Sequence, residues 1–228
     1  MKKIPIPKSF AIFGDSIGRG VMYDPNNDSY ETNRGFVSML EKRWGIRAIN
    51  CTRFGQTVSK GLKMLERKLE SIRACDFVFL EFGGNDSDYD WKAIAADPDA
   101  SYSPKTVLSE FVAIYKKLIA TVREAGLTPI VLNLPPIEHN MYFDRVRHGC
   151  NGDNILKWLK GDKTEISRWH GSYSDEIKNI CRESEVKMID IRSAFEGRDL
   201  TQLVCPDGIH PNEKGHELIY EKILTEFC

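Results

Sequence analysis

No stretch of this 228-residue chain approaches the roughly 20 consecutive apolar residues that a membrane-spanning helix needs. The opening Met1-Lys2-Lys3-Ile4-Pro5-Ile6-Pro7 is basic but lacks the apolar run of a signal peptide, so a cytoplasmic location is expected. Charge of one sign is equally lacking: 32 Lys and Arg against 33 Asp and Glu leave a formal net charge of −1. That removes the electrostatic grounds for expecting nucleic acid or an anionic membrane as a partner. The six cysteines, Cys51, Cys75, Cys150, Cys181, Cys205 and Cys228, form no C-x-x-C pair and no zinc-like spacing with histidine. They read as free thiols, several of them small core residues, and no metal or other cofactor is expected. A Gly-Lys-Ser/Thr phosphate loop is missing, and Gly14, Gly18 and Gly20 do not have the dinucleotide-binding spacing, which argues against a nucleotide or flavin protein. No internal repeat, low-complexity tract or Pro/Gly-rich linker divides the chain, so residues 1–228 are expected to form one domain.

What is present is the balance of an ordinary globular protein, 41% hydrophobic and 29% charged. Five short apolar segments recur at 10–13, 46–51, 77–82, 129–134 and 186–191, mostly continuous rather than alternating. That is the pattern of parallel strands covered on both faces. Between them, Val58, Leu62, Leu65, Leu69 and Ile72 mark a one-faced helix, as do Phe111, Ile114, Tyr115, Leu118, Ile119 and Val122 before Gly126. A shorter helix is expected over 36–44. Leu218, Ile219, Ile223 and Phe227 indicate a closing helix that Pro211 is suited to begin. Strands alternating with helices imply an α/β fold with a five-stranded parallel sheet wrapped on both sides. Right-handed crossovers then bring the carboxyl ends of the strands to one edge. Two connections, 85–105 and 135–167, exceed what such a fold requires. The second reads equally as a lid or as a small surface helix at 154–160 anchored by Trp158.

Four stretches at that edge carry chemistry. The first strand stops at Gly14-Asp15-Ser16, which puts a serine hydroxyl just past a strand end. After the second comes Gly55, whose backbone N–H is open to close approach by a substrate atom because no side chain intervenes. After the third, Gly83-Gly84-Asn85-Asp86 suits a tight turn presenting the Asn85 amide as a donor. Before the last helix, Asp207 precedes His210 by three residues. At that spacing the carboxylate can fold back onto Nδ1 and leave Nε2 free to take a serine proton. Each feature alone is ordinary turn chemistry. Together they are the parts acyl transfer needs.

In these blocks the chain resembles the SGNH, or GDSL-type, hydrolase family of serine esterases and lipases. Gly14-Asp15-Ser16-Ile17 carries isoleucine where the family name has leucine, Gly55 stands for the second block, Gly83-Gly84-Asn85-Asp86 for the third, and Asp207-Gly208-Ile209-His210 for the last. The resemblance implies a flavodoxin-like three-layer α/β/α sandwich that hydrolyses esters, thioesters or acetylated sugars without a metal. It implies Ser16 as nucleophile, His210 as general base and Asp207 as its orienting partner, with an oxyanion hole of Ser16 N–H, Gly55 N–H and the Asn85 side chain. Asp15 and Asp86 are assigned to loop bracing, and His216 to a helix surface. His139 and His148 adjoin no motif, and His170 is expected on a solvated helix. The expected partner is a small-molecule ester, an acetylated carbohydrate among the candidates. A thioesterase or lysophospholipase with the same triad, or a non-catalytic acyl- or glycan-binding relative, remains open.

Overall fold

The computed structural model describes residues 3–32 and 35–228, so Met1 and Lys2 of the basic start lie outside the described residues. β1 (Phe10–Gly14) leads into a one-turn helix α1 (Ser16–Arg19), then a hairpin of β2 (Val21–Asp24) and β3 (Ser29–Thr32), and α2 (Phe36–Trp44). β4 (Ile49–Asn50), α3 (Val58–Ile72) and β5 (Phe77–Glu81) follow, then α4 (Trp91–Ala96), α5 (Leu108–Glu124) and β6 (Pro129–Leu132). α6 (His139–Val146), α7 (Gly152–Trp158) and α8 (Thr164–Glu183) precede β7 (Lys187–Ile189), and α9 (Glu213–Leu224) comes last.

The five sheet strands run parallel in the order β4-β1-β5-β6-β7. This is the flavodoxin-like arrangement, in which the chain reverses its direction of winding beside the first strand. Alternate residues of each strand serve opposite faces. Phe10, Ile12, Phe77, Phe79, Ile130 and Leu132 pack under α2 and α9. Ala11, Phe13, Val78, Leu80 and Val131 pack under α3, α5 and α8. Both faces are apolar, which is why the strands read as continuous hydrophobic runs and why the fold has three layers. Helix α3 comes especially close to the sheet at Gly61, where a Cβ would stand 2.3 Å from the Phe82 ring. A third apolar cluster, with Ile94, Phe143, Ile155, Leu159 and Ile166, joins α4, α6, α7 and the start of α8.

The helices expected over 58–72 and 36–44 occupy those residues, and the one before Gly126 spans Leu108–Glu124. The segment 46–51 pairs over only two residues, because the N–H groups of Ile46 and Ala48 turn back to the carbonyl and carboxylate of Glu41 and finish α2. Pro211 does not begin α9. It forms a bridge with Val204, and Asn212 caps the helix by accepting the Gly215 N–H at 3.1 Å. The small helix anticipated at 154–160 lies at Gly152–Trp158, with Asn151 as its cap. The hairpin β2–β3 had no counterpart in the sequence reading, and the helix expected at His170 runs for 20 residues as α8. The hairpin is tied to α6 by Arg145, whose guanidinium lies 4.8 Å from the Tyr23 ring centroid and pairs with Asp28 at 3.0 Å.

His216 corrects an expectation. It is fully buried rather than on the helix surface, stacked on Phe36 and accepting the Phe36 N–H on Nδ1 at 3.4 Å. Its place was readable, since it lies three and seven residues before Ile219 and Ile223 on the buried stripe of α9. Burial lowers its pKa to about 3, with a contribution from His210. The unfolded chain therefore takes up a proton near the ordinary histidine value that the folded chain refuses, and stability falls as pH drops below about 6.5. The His216→Asn variant is expected to lose stability less steeply than the parent between about pH 6.5 and 4. Urea denaturation across that range measures the two slopes, and parallel curves would show that His216 protonates freely in the folded state.

Candidate active site

The carboxyl ends of β1 and β5 lie side by side, because their ladder pairs Phe10 with Phe77 through to Gly14 with Glu81. The chain leaves β1 into α1, with Asp15 as cap and Ser16 as first helical residue. The Ser16 Oγ lies 2.8 Å from His210 Nε2, and His210 Nδ1 lies 2.5 Å from Asp207 Oδ2. All three side chains are buried. The other Asp207 oxygen accepts the N–H groups of Ile209 and His210, each at 3.1 Å, so the carboxylate fixes both the ring and the loop that carries it. Gly208 makes that loop feasible: its φ is +76°, and a Cβ there would stand 2.4 Å from the Tyr142 N. The ring of His210 is flanked by Tyr30 of the hairpin and by Phe54, which is half exposed.

Gly55, with φ +68°, and Asn85 face the same cavity as Ser16 and His210. Among the described residues neither the Ser16 N–H nor the Gly55 N–H has an acceptor in the protein. The Asn85 amide donates one hydrogen to Asp15 Oδ2 at 2.9 Å, which holds the side chain in place and leaves its second hydrogen unassigned. The five residues read from the sequence, Ser16, Gly55, Asn85, Asp207 and His210, are thus brought together. Asp86 braces the loop from below: its carboxylate accepts the Val58 N–H and the Thr106 hydroxyl, and burial raises its pKa to about 6.

The cavity has a volume of about 460 Å³. Beyond the serine its wall is aromatic: Tyr89, Trp91, Tyr142, Trp158 and Trp169 line it and meet one another largely edge to face. Asp88 fixes part of this wall by accepting from Trp91 Nε1 at 2.8 Å, Tyr142 Oη at 2.6 Å and Lys105 Nζ at 2.7 Å. The long connections 85–105 and 135–167 supply most of these residues, with Trp158 on the cavity side of α7. His170, expected on a solvated surface, is instead buried on the cavity wall with Nδ1 unpartnered, and burial lowers its pKa to about 3. Its spacing from Ile166, Tyr173 and Ile177 was the signal that places it on the inner stripe of α8. His139 and His148 do not line the cavity. Sequence reasoning passed over the aromatic wall and Glu81, a fully buried carboxyl at the last position of β5.

The described residues hold no group of three or more His, Cys, Asp or Glu able to bind a metal ion. They also hold no helix long and apolar enough to cross a membrane.

The model of the GDSL-like Lipase/Acylhydrolase family matches residues 12–218. A GDSL esterase/lipase of Arabidopsis thaliana, At2g38180, is 28% identical over 226 residues, which cover 96% of this chain and 64% of that protein. The isoamyl acetate-hydrolyzing esterase of Saccharomyces cerevisiae is 21% identical over 231 residues, 95% of this chain and 84% of that protein. Among solved structures, a catalytic mutant of Axe2, an acetylxylan esterase from Geobacillus stearothermophilus, superposes with a TM-score of 0.67 at 20% identity. That match covers 99% of this chain and 96% of the other, and at this identity it speaks for the fold. The family blocks, the strand order and a match running from β1 into α9 agree, and the chain belongs to the GDSL-like lipase/acylhydrolase family.

Proposed function

We propose that the chain is a serine esterase that cleaves a small acyl ester through an acyl-enzyme intermediate. The observation that carries this reading is the line from Ser16 Oγ through the His210 ring to Asp207, set beside two backbone N–H groups without acceptors. Ser16 Oγ attacks the ester carbonyl while His210 Nε2 takes its proton, and Asp207 keeps the ring in the required tautomer. The carbonyl oxygen becomes an oxyanion that accepts from Ser16 N–H, Gly55 N–H and Asn85 Nδ2. His210 returns the proton to the departing alkoxide, the C–O bond breaks, and the acyl group stays on Ser16. A water, deprotonated by His210, then hydrolyses that ester and restores the serine.

The yeast relative is an isoamyl acetate-hydrolyzing esterase and the Geobacillus protein an acetylxylan esterase, and this supports a short acyl group here. For the alcohol side, the aromatic wall favours a ring. Flat Trp and Tyr faces offer apolar contact at low entropic cost, and the buried, neutral His170 supplies a hydrogen-bonding group at the same wall. An acetylated carbohydrate meets both requirements. A thioester or lysophospholipid would bring a long flexible chain to a wall built of rigid rings.

Ser16→Ala is expected to lower kcat by about 10⁴–10⁶ and to abolish fluorophosphonate labelling, with the melting temperature little changed. Label persisting on another serine, or turnover surviving the substitution, would remove Ser16 from the reaction, and a parent that binds esters without turning them over would leave the binding-module reading. Asn85→Ala is expected to lower kcat by roughly 10²–10³ at nearly constant KM, because its donation strengthens only as charge develops on the carbonyl oxygen. A raised KM at constant kcat would assign Asn85 to ground-state binding instead. Assayed against p-nitrophenyl esters of increasing chain length and acetylated xylo-oligosaccharides, kcat/KM is expected to peak at acetyl and to be highest for the sugar esters. A maximum at long acyl chains would favour the lysophospholipase reading.

A further inference from the structure

Beneath Ser16 lies a carboxyl that the reaction scheme does not use. Glu81 is fully buried, and its Oε2 accepts the Asp15 N–H at 3.3 Å and the Gly18 N–H at 3.1 Å. Its Oε1 is enclosed and has no partner. Asp15, also buried, accepts the Ile17 N–H at 2.9 Å on one oxygen and Asn85 Nδ2 at 2.9 Å on the other. The N–H groups of residues 15, 17 and 18 are therefore all taken from below. That of Ser16, between them, is left free. No Lys or Arg forms an ion pair with either carboxyl among the described residues. Two carboxyls bound to N–H groups of the same short turn, buried and without a cation, are costly to ionise together.

We propose that Glu81 is a positioning residue for the oxyanion site. With Asp15 it forms a carboxyl pair holding one proton, which binds every N–H of the turn except that of Ser16 and keeps Asn85 aimed at the substrate. The proton resides on Glu81. Burial first, and then the Asp15 charge, raise Glu81 well above the usual carboxylate range, whereas Asp15 is raised less and is favoured as the anion by its bonds to Ile17 and Asn85 and by nearby His210. The other groups bearing on the pair are Asp86 after β5 and Tyr115 on α5, whose hydroxyl donates to the Leu80 carbonyl; Arg19 of α1 is exposed and reaches instead to the Thr52 carbonyl. None of these supplies a cation to a second buried negative charge. Loss of the Glu81 proton at alkaline pH puts two like charges under the turn and loosens the oxyanion donors.

This inference rests on the esterase reading and is tested by the pH dependence of kcat and KM on p-nitrophenyl acetate, with spontaneous hydrolysis subtracted. Glu81→Gln keeps the size and the neutral form of the side chain. It is expected to retain kcat within about threefold near neutrality and to lack the alkaline fall expected of the parent. Glu81→Ala is expected to lower kcat at least tenfold with KM within about twofold, the pattern of a damaged oxyanion site rather than a damaged pocket. An alkaline limb shared by the parent and Glu81→Gln, or Glu81→Gln as impaired as Glu81→Ala at neutral pH, overturns the proposal. If either variant fails to fold, infrared spectroscopy of the parent decides: a protonated-carboxyl carbonyl band at neutral pH that disappears on alkaline titration supports the pair, and its absence overturns it. Ser16→Ala run in parallel separates the two ideas, since turnover surviving there removes Ser16 as the nucleophile and with it the reading on which this inference rests.

Discussion

The ladder between β1 and β5 is the constraint on which the rest of the site depends. Its register sets Gly14 against Glu81, so the turns that leave the two strands emerge as neighbours. One delivers Ser16 and the other delivers Asn85. A slip by one residue would turn every side chain of one strand to the opposite face and exchange its two apolar cores. The register also explains Gly14: a Cβ there would stand 2.7 Å from the Glu81 carboxyl, so no larger residue fits opposite it. What looks in the sequence like a loop glycine is the space that admits a buried acid.

Packing around that ladder divides the molecule by task. The two clusters on the sheet faces hold β1 and β5 rigid, with side chains such as Phe10, Phe79, Tyr115 and Leu65 wholly enclosed. The third cluster, between α4, α6, α7 and α8, lies away from the sheet and supports the aromatic wall. The Ser16 turn is thus anchored in the fully buried part of the fold, while the aromatic wall of the cavity is built largely from long connections.

How much of this was legible follows from which forces act locally. Strands and amphipathic helices announce themselves because burial imposes a period on neighbouring residues, and α3 and α2 are read to their ends. The Asp207–His210 pair is legible for the same reason, since both partners sit in one four-residue turn. Glu81 was not, because its role depends on Asp15 and Gly18, more than sixty residues away, and inside an apolar run it looks like the polar end of a strand. His170 and His216 were misplaced by residue type when the helical stripe around each would have placed them correctly. The hairpin was missed because Tyr23 and Tyr30 find their partner in Arg145, on a helix that the sequence presents as loop.

That last attachment has a consequence for assembly. The hairpin closes on itself through a turn of a few residues, but it is fastened to the rest of the chain in part by Arg145, more than a hundred residues downstream. The Asp28 end of the ion pair is largely exposed and contributes little by itself. Most of the hold comes from the guanidinium lying over two aromatic rings. Contacts of such long range are entropically costly to close before the intervening chain has condensed. The Tyr30 side of the His210 ring is therefore held by contacts that each bridge more than a hundred residues of chain.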